Sequence, residues 1–200
     1  MEKMDLRIEV IRLQFILIKN IFLRNIMTTC NDNAYQVISK NKDLSGIKAL
    51  IDLAGLQTAV ANLHNATFFA PSNQGLANSA ALVEYLSDPL NKDLLIQVLL
   101  YHIYNKGALT TTDMVLKQNL RMSDDILLEV YPTLYYQYLP TLVDRVQENY
   151  NVTVGNISAK TNVYLQIING LLQPFVIYYP KCLQYPWSGY NGPCRLYIDT

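Results

Sequence analysis

Apolar positions in the first half of the chain recur mostly at the three-to-four-residue spacing of helices, and those of the second half cluster in short strand-like runs. Asn33 is placed to cap a short helix carrying Tyr35, Val37 and Ile38, with Lys40 to Asp43 as a polar connector. Ser45 then reads as the cap of a second helix striped by Ile47, Leu50, Ile51 and Leu53, and Gly55 sits where a left-handed residue would stop it. Leu56 to Leu63 predicts a further turn or two of helix. The pattern changes at Thr67-Phe68-Phe69-Ala70, a β-favouring run closed by Pro71 and the turn-prone Ser72-Asn73. Ser79 precedes a helical stretch through Leu82, Val83 and Leu86. Asp88-Pro89 is a helix start, and Leu90, Leu94, Leu95, Val98 and Leu99 follow at helical spacing until Gly107. His102 shares the face of Val98 and Leu99. After Asp113 the helical signal fades. Ile126 to Tyr131, Val152 to Val154 and Val163 to Ile168 predict strands, Pro132 to Tyr150 is ambiguous with Leu142 to Tyr150 a candidate helix, and Pro/Gly-rich sequence follows Phe175. The order predicts a mixed α+β domain.

Composition narrows what such a domain can do. Two hundred residues, half of them apolar, suffice for one packed core. The net charge is zero and only 16% of residues are charged, with no Lys/Arg cluster, which argues against a nucleic-acid partner. Fifteen tyrosines suit either half-buried sheet positions or a protein interface. The three cysteines, Cys30, Cys182 and Cys194, form no CxxC pair and stand apart from both histidines, so zinc and other metal sites are not expected. Cys182 and Cys194 could close a small loop in an oxidising compartment or remain thiols, and both readings stay open. Asn65, Asn151 and Asn156 head Asn-x-Ser/Thr sequons, which are candidate N-glycosylation sites. Against secretion, residues 1–30 are interrupted by Arg7, Glu9, Arg12, Lys19 and Arg24, so they form neither a clear signal peptide nor a transmembrane span. The expected organisation is an N-terminal segment over 1–32, a domain over 33–176 and a Pro/Gly/Tyr-rich tail over 177–200.

Three segments, taken together, resemble the fasciclin domain. Ala66-Thr67-Phe68-Phe69-Ala70-Pro71-Ser72-Asn73 is similar to that family's T-V-F-A-P-T-N motif. Leu95 to Ile103, ending in Tyr101-His102, is similar to its Leu-rich helix with a Tyr-His pair. Thr161-Asn162-Val163 through Gln173-Pro174 is similar to its closing strand, with Val163 in place of a glycine and Asn169 in place of an aspartate. The resemblance implies a wedge-like fold of β-sandwich-type sheets flanked by short helices. It also implies an extracellular or cell-surface module that associates with cell-surface or matrix proteins, without catalysis or cofactor. For the Tyr-His segment it implies partner contact by Leu99, Tyr101, His102 and Ile103. The physical alternative is that a histidine on a leucine face makes a buried hydrogen bond and orders the turn after the helix, and the sequence favours that role.

No Gly-x-Ser-x-Gly, Walker or His-Glu-x-x-His pattern occurs, His64 has no nucleophile and acid arranged around it, and Asp124-Asp125 read as solvated neighbours, so an enzyme is not expected. Beside the adhesion reading stands a small-molecule or lipid-binding module on the same scaffold, motivated by the many Leu, Ile and Tyr residues.

Overall fold

A computed structural model describes residues 31–132 and 139–177. The chain divides into two units, Met1–Asn31 and Asp32–Thr200, and the elements described here belong to the second. In chain order they are α1 (Ala34–Lys40), a 3-10 turn (Lys42–Leu44), α2 (Ser45–Ala54), α3 (Gln57–Ala61), β1 (Ala66–Pro71), α4 (Asn73–Asn78), α5 (Ala80–Leu86), a 3-10 turn (Pro89–Asn91), α6 (Lys92–Leu100), β2 (Ile103–Tyr104), α7 (Thr111–Lys117), β3 (Asn119–Arg121), β4 (Leu127–Tyr131), β5 (Thr141–Val143), β6 (Asn149–Ala159) and β7 (Val163–Ile168). This is the expected α+β architecture, a mixed sheet with several short helices.

The strands run in one continuous seven-stranded order, β2-β1-β7-β6-β5-β4-β3. β1 and β7 pair in parallel, from Ala66 opposite Val163 to Pro71 opposite Ile168, and the remaining neighbours are antiparallel. β6 joins the two halves. Its first residues pair with β5, and from Val152 on it pairs with β7 through two register shifts on either side of Val154. Such bulges bend a strand and let it serve both neighbours.

β1 is buried on both faces, which explains its unbroken apolar run. Phe68 and Phe69 point to opposite sides. Phe68 joins Ile47, Ile51, Leu95, Val98 and Leu165 beneath the N-terminal helices, and Phe69 joins Tyr101, Met114, Leu128, Val130 and Ile168 under the second half of the sheet. β4 instead alternates, with Leu128 and Val130 inward and Leu127 and Tyr131 exposed.

Several sequence expectations are corrected. Leu142 to Tyr150 is no helix: it contains β5, a turn and the start of β6. Asp144 makes that turn, its Oδ1 accepting the N–H groups of Val146 and Glu148 at 3.0 Å each. Ser45 is the first residue of α2 rather than its cap; the cap position is Leu44, which gives no side-chain bond. Asn73, 27 residues beyond Gly46, supplies one, with Oδ1 accepting from Gly46 N–H at 2.9 Å. Asp88-Pro89 starts a 3-10 turn that leaves Leu90 exposed; α6 begins at Lys92 and ends at Leu100, and β2 follows before Gly107. Pro71 closes β1 as its last residue, as expected. The N–H of Phe69 points toward β2 and that of Ser72 toward β7, so Pro71 faces the β2 side beyond the end of that short strand, where no donor is missed. α7 lies where the helical signal was expected to fade, held by a reciprocal cap between Thr110 and Asp113.

Candidate functional site

The Tyr-His corner sits where α6 ends and β2 begins, and it is built for internal contact. His102 is fully buried. Its Nδ1 lies 2.7 Å from the carbonyl of Val98, and its Nε2 accepts the backbone N–H of Leu172 at 3.0 Å. That pair of partners fixes the neutral ring with the proton on Nδ1. Its own carbonyl accepts the N–H of Phe69 at 2.9 Å. One residue therefore ties α6, β1 and the segment after β7 together. Burial pushes its pKa down to about 4, against the smaller opposing pull of the Val98 carbonyl.

Tyr101 is equally enclosed and donates its hydroxyl to the carbonyl of Leu127 at 2.8 Å. Burial raises its pKa, with Asp144 and Asp124 adding to the effect. Leu99 lies in the helical core, and Ile103 pairs with Phe68 while its carbonyl accepts both the N–H and the hydroxyl of Ser123. All four candidate partner residues, Leu99, Tyr101, His102 and Ile103, are thus buried at 6% exposure or less. The outward contact implied for them has no surface in this arrangement, and the buried hydrogen-bonding role describes His102.

Thr67 and its neighbours likewise serve the fold. The Thr67 hydroxyl donates to Gly107 O at 3.0 Å and accepts Leu109 N–H at 2.8 Å, holding the loop before α7. Ser72 caps α4 through Gly75 N–H at 3.0 Å. Gly75 is required there, since a Cβ would lie 2.6 Å from the backbone carbon of Asn169.

A further buried polar group, Asp144, was not legible in the sequence. Asp144 is 2% exposed; its Oδ1 closes the β5–β6 turn and its Oδ2 accepts the N–H of Gln173 at 2.9 Å. The Tyr150 side chain also bonds to it. Burial raises Asp144 to about 6, against the lowering pull of these donors. Gln166 is another, with Nε2 donating to Leu109 O at 2.9 Å and Oε1 accepting Asn156 N–H at 2.8 Å. Its one legible signal was a polar side chain inside the otherwise apolar run Val163 to Ile168.

The sequons differ in their surroundings. Asn65 and Asn151 are exposed; each accepts through its Oδ1, from Asn162 Nδ2 at 2.9 Å and from Thr141 Oγ1 at 3.0 Å respectively. Asn156, although exposed, uses both ends of its amide, accepting from Thr111 N–H at 2.9 Å and donating to Thr111 Oγ1 at 3.3 Å. Cys30, Cys182 and Cys194 lie outside the described residues.

Asp124 departs from the solvated reading. It is half-buried, its Oδ2 has no hydrogen-bond partner, and burial raises its pKa. Asp125 is exposed, 3.6 Å from Lys106 Nζ. His64 is exposed, with Nδ1 3.3 Å from Asn62 O. Among the described residues no group of His, Cys, Asp and Glu is placed to hold a metal ion, and no helix is long and apolar enough to cross a membrane.

The sheet closed by the Tyr-His corner is that of a known class. The family model for the fasciclin domain matches residues 42–174, and the chain belongs to that family. Among solved structures it is similar to a FAS1 domain pair from the insect cell adhesion molecule fasciclin I, with a TM-score of 0.59 and 14% identity. The match covers 71% of this chain and 51% of that one, so the chain spans about half the length of that neighbour. No curated protein matches.

Proposed function

We propose that this chain is a non-enzymatic adhesion module that binds proteins of the cell surface or extracellular matrix. The observation that carries this reading is the family match over residues 42–174, because fasciclin domains are cell-adhesion modules that mediate protein interactions. The buried polar chemistry supports it. His102, Tyr101, Asp144, Gln166 and Gln173 are committed to hydrogen bonds that join elements of the fold, which leaves contact to the outer surface. On β4 that surface carries Leu127 and Tyr131, exposed at 42% and 50% on the outward face, the kind of apolar and aromatic side chains that anchor protein contacts. The Asn65 and Asn151 sequons fit an extracellular setting.

The test is capture of the folded, oxidised chain by intact cell surfaces and by a matrix fraction. Saturable retention that trypsin treatment of the surface removes supports the reading. Absence of retention on both, with native mass spectrometry showing an apolar ligand bound one to one, replaces it with the small-molecule reading.

A further inference from the structure

Consecutive backbone N–H groups after β7 are received by two buried titratable side chains from distant parts of the chain. Leu172 N–H goes to His102 Nε2 at 3.0 Å, and Gln173 N–H goes to Asp144 Oδ2 at 2.9 Å. The residues around them form a strap, 171–177. Leu171 and Ile177 pack into the core under the N-terminal helices and Leu172 into the core of the other half, so the strap closes both. Its root is fixed and its hinge is free of side chain. Asn169 N–H donates to Asn151 O at 3.2 Å and Asn169 Oδ1 accepts Asn151 N–H at 2.7 Å, while Gly170 lies so close to the Tyr150 ring that a Cβ would fall 2.4 Å from it.

We propose that His102 is an acid-sensing tie on this strap: protonation converts Nε2 from an acceptor into a donor facing the Leu172 N–H and loosens the strap at that point, while Asp144 offsets the effect at Gln173.

The geometry makes the two holding points unequal. A neutral imidazole has one acceptor nitrogen, and its other nitrogen is already donating to Val98. Protonation therefore leaves Leu172 N–H with no acceptor and sets two donors against each other in a buried place. A protonated Asp144 still carries lone pairs and can keep Gln173. The titratable and charged groups around this region are Tyr101 at the end of α6, Asp124 before β4, Arg145 and Glu148 in the β5–β6 turn, and Tyr150 on β6. Tyr101, with Asp124 acting on it, adjoins His102 in the chain, while Arg145, Glu148 and Tyr150 lie beside Asp144; residues 171–177 carry no ionisable side chain. His102 responds to burial and to the Val98 carbonyl alone, and burial lowers its pKa from 6.5 to about 4. Once the strap opens, the ring meets water and recovers its ordinary value, so acid favours the open form. Asp144, raised by the same burial, opposes this from the other holding point.

The test is residue-resolved amide hydrogen exchange on the full chain between pH 7 and pH 5, for the wild type and for His102→Gln. Glutamine can accept from Leu172 and donate to Val98 without titrating, and Asp144 is present in both proteins. The opening constant of the Leu172 amide, taken as the ratio of wild type to variant, should rise about twentyfold over that range. The amides of Leu165 and Ile167 in β7 should respond several-fold less. A ratio that stays constant overturns the proposal, and so does an equal response in β7, which would mean global unfolding. Should the variant fail to fold, ring nitrogen shifts of the wild type decide. A neutral His102 protonated on Nδ1 throughout pH 7 to 5 is expected, and titration near the ordinary histidine value in the folded protein overturns the proposal.

Discussion

His102 Nε2 accepts a hydrogen bond from the backbone of Leu172, 70 residues further along the chain, at 3.0 Å. The contact joins the end of α6 to the segment after β7. The ring that makes it is fully buried and is held from the other side by Val98, so removing it costs twice. His102→Ala leaves an orphaned amide, an orphaned carbonyl and a cavity, and should lower the unfolding free energy by about 3 kcal/mol. Urea denaturation of the two proteins checks this; an unchanged midpoint would mean the ring is not where the structure puts it.

The pH dependence of stability follows from two buried groups of opposite sense. His102 has its pKa lowered from 6.5 to about 4, so its contribution is complete above pH 6.5 and is lost as the pH falls toward 4. Asp144 has its pKa raised from 3.8 to about 6, so its contribution is complete below pH 3.8 and is lost as the pH rises through 6. Between pH 4 and 6 the two slopes offset each other. Wild-type stability from these groups should be nearly flat there, whereas His102→Gln should become more stable on acidification by roughly 1 kcal/mol per pH unit. Urea midpoints at several pH values test it, and parallel curves for the two proteins would contradict it.

Gly75 in α4 packs against the end of β7. An added Cβ would lie 2.6 Å from Asn169 C and 2.7 Å from Gly170 N, both backbone atoms that cannot swing aside. Gly75→Ala should therefore cost about 1–3 kcal/mol despite the better helix propensity of alanine. A thermal midpoint at or above wild type would refute this.

Asn73 links α4 to the start of α2. Its Oδ1 accepts Gly46 N–H at 2.9 Å and its Nδ2 donates to Lys42 O at 3.0 Å. Asn73→Ala should cost on the order of 1 kcal/mol, in the range of a lost helix cap. Asn73→Asp keeps the acceptor for Gly46 and gains from the helix N-terminus, so it should lose less. Equal losses in the two variants would show that the Gly46 contact carries none of the effect.

These contacts also mark how far the sequence could be read. Features set by a few neighbouring residues were legible: the left-handed Gly55 ending α2, with φ of 78°, the Asp88-Pro89 start, and the strand core Thr67 to Ala70. β2, β3 and β5, two or three residues each, were not, because so short a strand has no period of its own and exists through its neighbours' hydrogen bonds. Leu142 to Tyr150 misled for a different reason. Leu142, Val143, Val146 and Tyr150 are spaced as on a helix, but Asp144 captures two N–H groups locally and Gln147 takes a φ of 64°, which turns the chain back. Of the candidate site, His102 on an apolar face was legible. Its partner Leu172 and the whole of Asp144 were not, since both depend on pairings that only the finished fold brings together.

The most direct measurement compares His102→Gln with Tyr131→Ala in binding to a captured cell-surface or matrix partner, each variant's unfolding midpoint being recorded alongside. Tyr131→Ala should keep its midpoint and lose binding at least severalfold, while folded His102→Gln should bind as the wild type does. A folded His102→Gln that no longer binds, with Tyr131→Ala binding normally, would place the contact at the Tyr-His corner and contradict its role as an interior tie.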